Sequence, residues 1–260
     1  MPSHQLTNAP LVEAILEIRW RLQTNPSAPG IAFDPKYKLL VGRLFDQLRR
    51  EYPFHEPLPI AVMPDEMVNY LVQHRFRSSA NGWPLVQVGP GIVTLNDTEA
   101  YTWEDFSARG RQLLQCLSEV YPDETWPLIV VGLQLRYIDA LPFDFTADNI
   151  FDFIGTNLKV KLDLGPQLFS DMPIQPRPAT FDMAFNFPVT TPQGICRLRF
   201  GRGHKSGQDA LIWETIVISE GDNLVKNSPD DFHAWLAGAH EITHNLFFKM
   251  IAGPLEAKLQ

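Results

Sequence analysis

Cysteine is scarce: Cys116 and Cys196 are the only 2 in 260 residues, and they stand far apart. Neither a ligand-spaced cluster nor a C-x-x-C pair can be built from them. A disulfide framework, a cysteine zinc site and a dithiol redox centre are therefore not expected, and two reduced core thiols are. Long apolar runs are missing too. No uninterrupted stretch of the ~18 residues needed to cross a bilayer occurs, and the opening MPSHQLTNAP puts no basic segment ahead of an apolar one. A cytoplasmic protein with no membrane partner is expected.

Positive charge is in deficit, with 22 Lys and Arg against 30 Asp and Glu and a net charge of −8. The long-range field repels phosphate backbones, so nucleic acid is not the expected partner unless a local basic patch overrules the average. What is present is ordinary for a folded protein: 45% hydrophobic and 20% charged residues, enough for a substantial core.

Leu11 to Leu22 alternates, with Val12, Ala14, Leu16, Ile18 and Trp20 on one side and mostly charged residues on the other, which predicts a half-buried strand. Tyr37, Leu40, Val41, Leu44, Phe45 and Leu48 recur at helical spacing before Pro53. Pro59 to Met63, Asn69 to Ser78 and Leu85 to Leu95 read as an antiparallel meander with a turn at Gly89-Pro90-Gly91. From Thr102 a helical stripe begins at Trp103 and Phe106, with Thr102 as cap.

The order then repeats. Leu128 to Leu141 reads as a strand, Asn149 to Leu158 as a short helix, and Phe181 to Phe187, Cys196 to Phe200 and Leu211 to Ser219 as strands. Asp231 to Ile251 reads as a long helix. The expected fold is α+β, antiparallel sheets with helices on one face. Residues 1–121 and 122–260 form two halves packed as one unit, in a β-α-β(3-4)-α order compatible with a duplication and similar to that of the TATA-binding proteins.

Several short segments carry a resemblance. They are Asn8-Ala9-Pro10-Leu11-Val12-Glu13 leading to Glu17-Ile18-Arg19, Trp103-Glu104-Asp105-Phe106, Gly132 to Asp139 (GLQLRYID), and a last helix with His240 and Phe247. In these the chain resembles a sporadically distributed bacterial family of uncharacterised proteins. The resemblance implies a bacterial source and supplies no reaction, ligand or catalytic residue. Where that family commonly has Asn after Arg-Tyr-Ile, this chain has Asp139.

His240-Glu241-Ile242-Thr243-His244 fits H-E-x-x-H, in which two histidines one helical turn apart bind zinc and the glutamate is the general base. Few residues follow His244 to supply a third ligand. On a helical wheel His233, His240 and His244 border the apolar stripe Phe232, Trp235, Leu236, Ala239, Ile242, Leu246, Phe247 and Met250, with Glu241 nearly opposite. The expectation is therefore structural histidines, no metal or other cofactor, and no catalytic role for Glu241, with a zinc hydrolase as the alternative.

A second candidate is Arg197 to Gly207, where Arg197, Arg199, Arg202, His204 and Lys205 could meet an anion, a nucleotide or nucleic acid, or could be a solvated hairpin tip. A third is the set Glu13, Glu17, Arg19, Arg21, Arg136 and Asp139, read as a cross-strand charged cluster. With each catalytic pattern incomplete, the expected function is non-enzymatic binding or regulation. The expected partner is another protein, a second copy of this chain included.

Overall fold

The structure, a computed structural model, describes residues 6–24, 30–98, 100–121, 128–224 and 228–260. Residues 122–127, where the expected boundary between halves falls, lie outside the described residues, as do Met1 to Gln5 and part of the loop after strand one.

The alternating segment forms β1 (Leu11–Trp20), with Ala14, Leu16, Ile18 and Trp20 buried and the residues between them only partly so. A two-residue ribbon follows, β2 (Gln23–Thr24) with β3 (Ala32–Phe33), and then α1 (Tyr37–Leu48). The meander consists of β4 (Phe54–Pro57), β5 (His74–Arg77), β6 (Leu85–Gly89) and β7 (Ile92–Asp97). The strand expected at Pro59 to Met63 is instead a 3₁₀ turn, Pro59–Val62. Pro59 has no N–H for a ladder and sits at the start of that turn, where none is needed. Helix α2 (Trp103–Val120) is capped as expected, the Asp105 N–H donating to Thr102 Oγ1 at 3.4 Å.

The second half contains β8 (Val130–Pro142), α3 (Ile150–Asn157), β9 (Asp182–Thr190), β10 (Gln193–Lys205), β11 (Gln208–Glu220), α4 (Pro229–Ile251) and α5 (Pro254–Leu259). Strands β10 and β11 run longer than expected because their connection is only Ser206-Gly207. Both residues have positive φ, 52° and 80°, as a two-residue hairpin requires. Arg202, His204 and Lys205 therefore lie within β10 and not in a glycine-rich loop.

The fold is α+β. Among the described residues nine strands make one antiparallel sheet in the order β4-β5-β6-β7-β1-β8-β11-β10-β9. Strand β1 pairs with β7, β8 pairs with β11, and β1 and β8 pair with each other at the centre. Leu16, opposite Leu95 on one side and Leu135 on the other, marks the face that the helices cover.

Two hydrophobic clusters sit under those helices. The larger joins Leu16, Ile18 and Trp20 to Leu40 and Leu44 of α1, Phe106, Leu113 and Leu117 of α2, and Trp235, Leu236 and Ala239 of α4. The smaller joins Phe200, Leu211 and Trp213 to Ile150 and Ile154 of α3, Met250 and Ile251 at the end of α4, and Leu255 and Leu259 of α5. Among the described residues no helix is long and apolar enough to cross a membrane.

Candidate ligand-binding site

Between the two clusters the helical layer leaves a gap. A cavity of about 660 Å³ opens there, in the size range of small-molecule sites. Its floor is the sheet at Tyr137 and Asp139 of β8 and Thr215 of β11. One wall is the start of α2 with the residues before it, Tyr101 to Glu104, and the opposite wall is the middle of α4, His240 to Phe248. The segment Leu6 to Leu11 closes a third side.

Helical spacing explains the α4 wall. His240, His244, Phe247 and Phe248 recur at i, i+4, i+7 and i+8, a stripe beside the core-facing Trp235, Leu236, Ala239 and Thr243. The expected apolar stripe is modified here: Thr243 is buried, while Ile242, Leu246 and Phe247 are only partly so. The Thr243 hydroxyl tolerates burial because it donates back to the carbonyl of Ala239 at 3.0 Å.

Three polar side chains form a chain along the cavity. The hydroxyls of Tyr101 and Tyr137 are 2.7 Å apart, and the Tyr137 hydroxyl lies 3.0 Å from His240 Nδ1. Trp103 stacks flat on the His240 ring, with centroids 3.7 Å apart and planes at 6°. Burial, reinforced by neighbouring His244, pushes the imidazole of His240 down to about 4, so the ring is neutral at physiological pH. Burial likewise raises both phenols, that of Tyr137 well above its ordinary value.

Asp139 is 3% exposed, and burial pushes its carboxyl up to about 8 against the opposing field of the Lys205 ammonium. Other buried acids are satisfied by hydrogen bonds. Asp34 accepts from Trp20 Nε1 at 2.8 Å and from the Lys36 N–H at 3.0 Å, and Asp97 accepts from the Thr98 N–H at 2.8 Å. Glu214 is paired with Arg136 at 2.8 Å. Among the described residues no donor meets the Asp139 carboxyl, and the hydroxyl of Thr215 beside it is buried without a partner. Buried polar groups in proteins are nearly always paired, so two unpaired ones on one cavity floor are unusual.

The other sequence candidates are not brought together here. Glu241 is exposed and does not line the cavity, and His233 is exposed as well. Among the described residues no three His, Cys, Asp or Glu side chains gather as a metal-ligating group. The five basic residues of β10 are each engaged within the protein. Arg197 donates to Asn186 at 2.9 Å, Arg199 pairs with Asp182 at 2.7 Å, and Arg202 pairs with Asp209 at 2.6 Å. His204 lies 3.2 Å from Asp209, and Lys205 donates to the Ala140 carbonyl at 3.3 Å.

The charged cluster divides between the two faces of the sheet. Glu17 and Arg19 pair at 2.6 Å, and Arg136 pairs with Glu214, all on the face opposite the helices, where Glu13 accepts from Asn96 at 2.7 Å. Arg21 is exposed. Asp139 belongs to the helix-covered face, because residues three apart on a strand point to opposite sides and Arg136 takes the other one.

Sequence reasoning singled out His240, His244 and Asp139 but did not join them, and it missed Tyr101, Tyr137 and Thr215 as site residues. One signal was available. Leu133, Leu135, Tyr137 and Asp139 share one parity in β8, so an acid was due to project under the helices. The sequence matches no family model and no curated protein.

Proposed function

We propose that the protein is a non-enzymatic binding protein that holds a small organic ligand in the cavity bounded by β8, α2, α4 and the Leu6 to Leu11 segment. The supporting observation is the floor: among the described residues the buried Asp139 carboxyl lining this space of ligand size meets no donor, and the hydroxyl of Thr215, another lining residue, is buried without a partner. Leaving such groups unpaired costs about 1–3 kcal/mol each, a cost that a bound molecule with matching polar groups removes. The walls supply apolar and aromatic surface for packing, and the Tyr101–Tyr137–His240 chain fixes the orientation of the polar side.

The strand order supports reading residues 1–121 and 122–260 as two copies of one unit, since the first strand of each is flanked by its last. On that reading the cavity lies at the seam between copies, a usual place for a ligand site.

Thermal-shift screening of the native protein against a compound library tests the proposal. Hits are expected to raise the melting temperature of the native chain and not that of Ala9→Trp, which fills the rim of the cavity. Equal stabilisation of both by every hit would sink the reading.

A further inference from the structure

The cavity is lopsided in charge. Asp139 and Glu104 line it, and neither lysine nor arginine is among its lining residues. Lys205, whose ammonium is held by the Ala140 carbonyl, acts on Asp139 through space and not by a hydrogen bond. Aromatic side chains of Tyr101, Trp103, Tyr137, Phe247 and Phe248 also line it.

Resting on the binding reading above, we propose that the ligand is an organic ammonium compound, a protonated amine on an apolar or aromatic body, with its ammonium against Asp139 and Thr215. An ammonium is a donor with no acceptor capacity, and among the described residues neither the Asp139 carboxyl nor the Thr215 hydroxyl has a hydrogen-bond partner. Ring faces at the walls attract cations, and the stacked Trp103 is the strongest such surface in the set. A carboxylate ligand would find neither lysine nor arginine among the lining residues, so its charge would lie beside Asp139 and Glu104 without a compensating partner. A neutral alcohol would satisfy one partner but leave the second without a charge-assisted bond.

The binding step moves one proton. A carboxyl that is protonated in the empty cavity releases it to solvent as the ammonium arrives, leaving a carboxylate–ammonium pair.

Three probes of matched size test this on the full chain: tryptamine, tryptophol and indole-3-acetate, titrated by ligand-observed NMR. Tryptamine is expected to bind about tenfold more tightly than tryptophol, and indole-3-acetate more weakly than either. Asp139→Asn is expected to abolish the roughly tenfold preference for tryptamine over tryptophol. If Asp139→Asn does not fold, Thr215→Val carries the same expectation for the loss of tryptamine preference. Tryptophol or indole-3-acetate binding as well as tryptamine, or tryptamine indifferent to these substitutions, overturns the ammonium assignment and leaves the cavity reading standing. Failure of all three probes at millimolar concentration, or binding unaffected by Ala9→Trp, overturns both.

Discussion

Tyr137 of β8 and His240 of α4 are joined by a 3.0 Å hydrogen bond from phenolic oxygen to Nδ1, which ties the central strand to the last long helix. The Tyr101 hydroxyl extends the chain to the residues before α2, so one phenol links three elements around the cavity.

Tyr137→Phe deletes the middle of that chain. It leaves the Tyr101 hydroxyl and His240 Nδ1 short of a partner in a poorly solvated site, with no change in side-chain volume to speak of. A loss of about 1–3 kcal/mol is expected in urea denaturation, larger than for Tyr101→Phe, which removes an end link and orphans only one group.

Asp139 makes stability fall as pH rises. Its carboxyl titrates near 8 in the folded protein against 3.8 in an ordinary setting, so between those values the folded state holds more protons than the unfolded one. Its effect is absent below that window, grows across it and is complete above about pH 8. The groups sharing its surroundings are Lys205 from β10, Tyr137 from its own strand, Glu104 in the first turn of α2, and His240 and His244 from α4. Asp139→Asn keeps the shape and removes the titration. The variant is expected to gain roughly 3–6 kcal/mol over the native chain at pH 9 and to show little advantage at pH 4. Equal pH profiles for the two proteins would contradict the buried, unpaired setting of this carboxyl.

His240 acts in the opposite direction and lower in the scale. Its folded value near 4 lies below the ordinary 6.5, so the unfolded chain takes up a proton that the folded one refuses, and stability is lost as pH falls from 6.5 to 4. His240→Gln should flatten that acid limb, at the cost of the Trp103 stack. Thermal melts at half-unit pH steps are expected to show the native curve falling faster than the variant's below pH 6.5. The limb should be clearest in an Asp139→Asn background, where the opposing titration is gone.

The sheet and the long helices were legible in the sequence because alternation in β1 and β8 and 3.6-residue spacing in α1, α2 and α4 are each imposed by one buried face. Less legible were segments governed by long-range pairing. Phe54–Pro57 is an edge strand that gains its conformation only beside β5, and α5 forms after Gly253 because Leu255 and Leu259 find a core made by α3 and α4. The site shows the same division. The periodicity put His240 and His244 on the border of a stripe, yet whether that border meets solvent, metal or a cavity depends on how far apart α2 and α4 sit over β8. Strand parity would have separated Asp139 from Arg136, whereas grouping by charge alone placed them together.

The H-E-x-x-H match yields the last prediction. Zinc bound by His240 and His244 needs both rings free to turn their nitrogens toward one point, a third protein ligand, and a glutamate poised over the bound water. In the structure Nδ1 of His240 is 3.0 Å from the Tyr137 hydroxyl, and the ring is clamped flat against Trp103. The rings of His240 and His244 have centroids 5.4 Å apart and are tilted by 48°. Glu241 is exposed and is not among the residues that line the cavity. Equimolar zinc is therefore expected to move the melting temperature by no more than ~1 °C, since a ligand that binds the folded state tightly would raise it appreciably. Glu241→Gln should bind tryptamine as the native chain does. A zinc-dependent rise of several degrees that His244→Gln abolishes would return the helix to the metal reading and require a rearrangement around Trp103 that the stacked ring does not show.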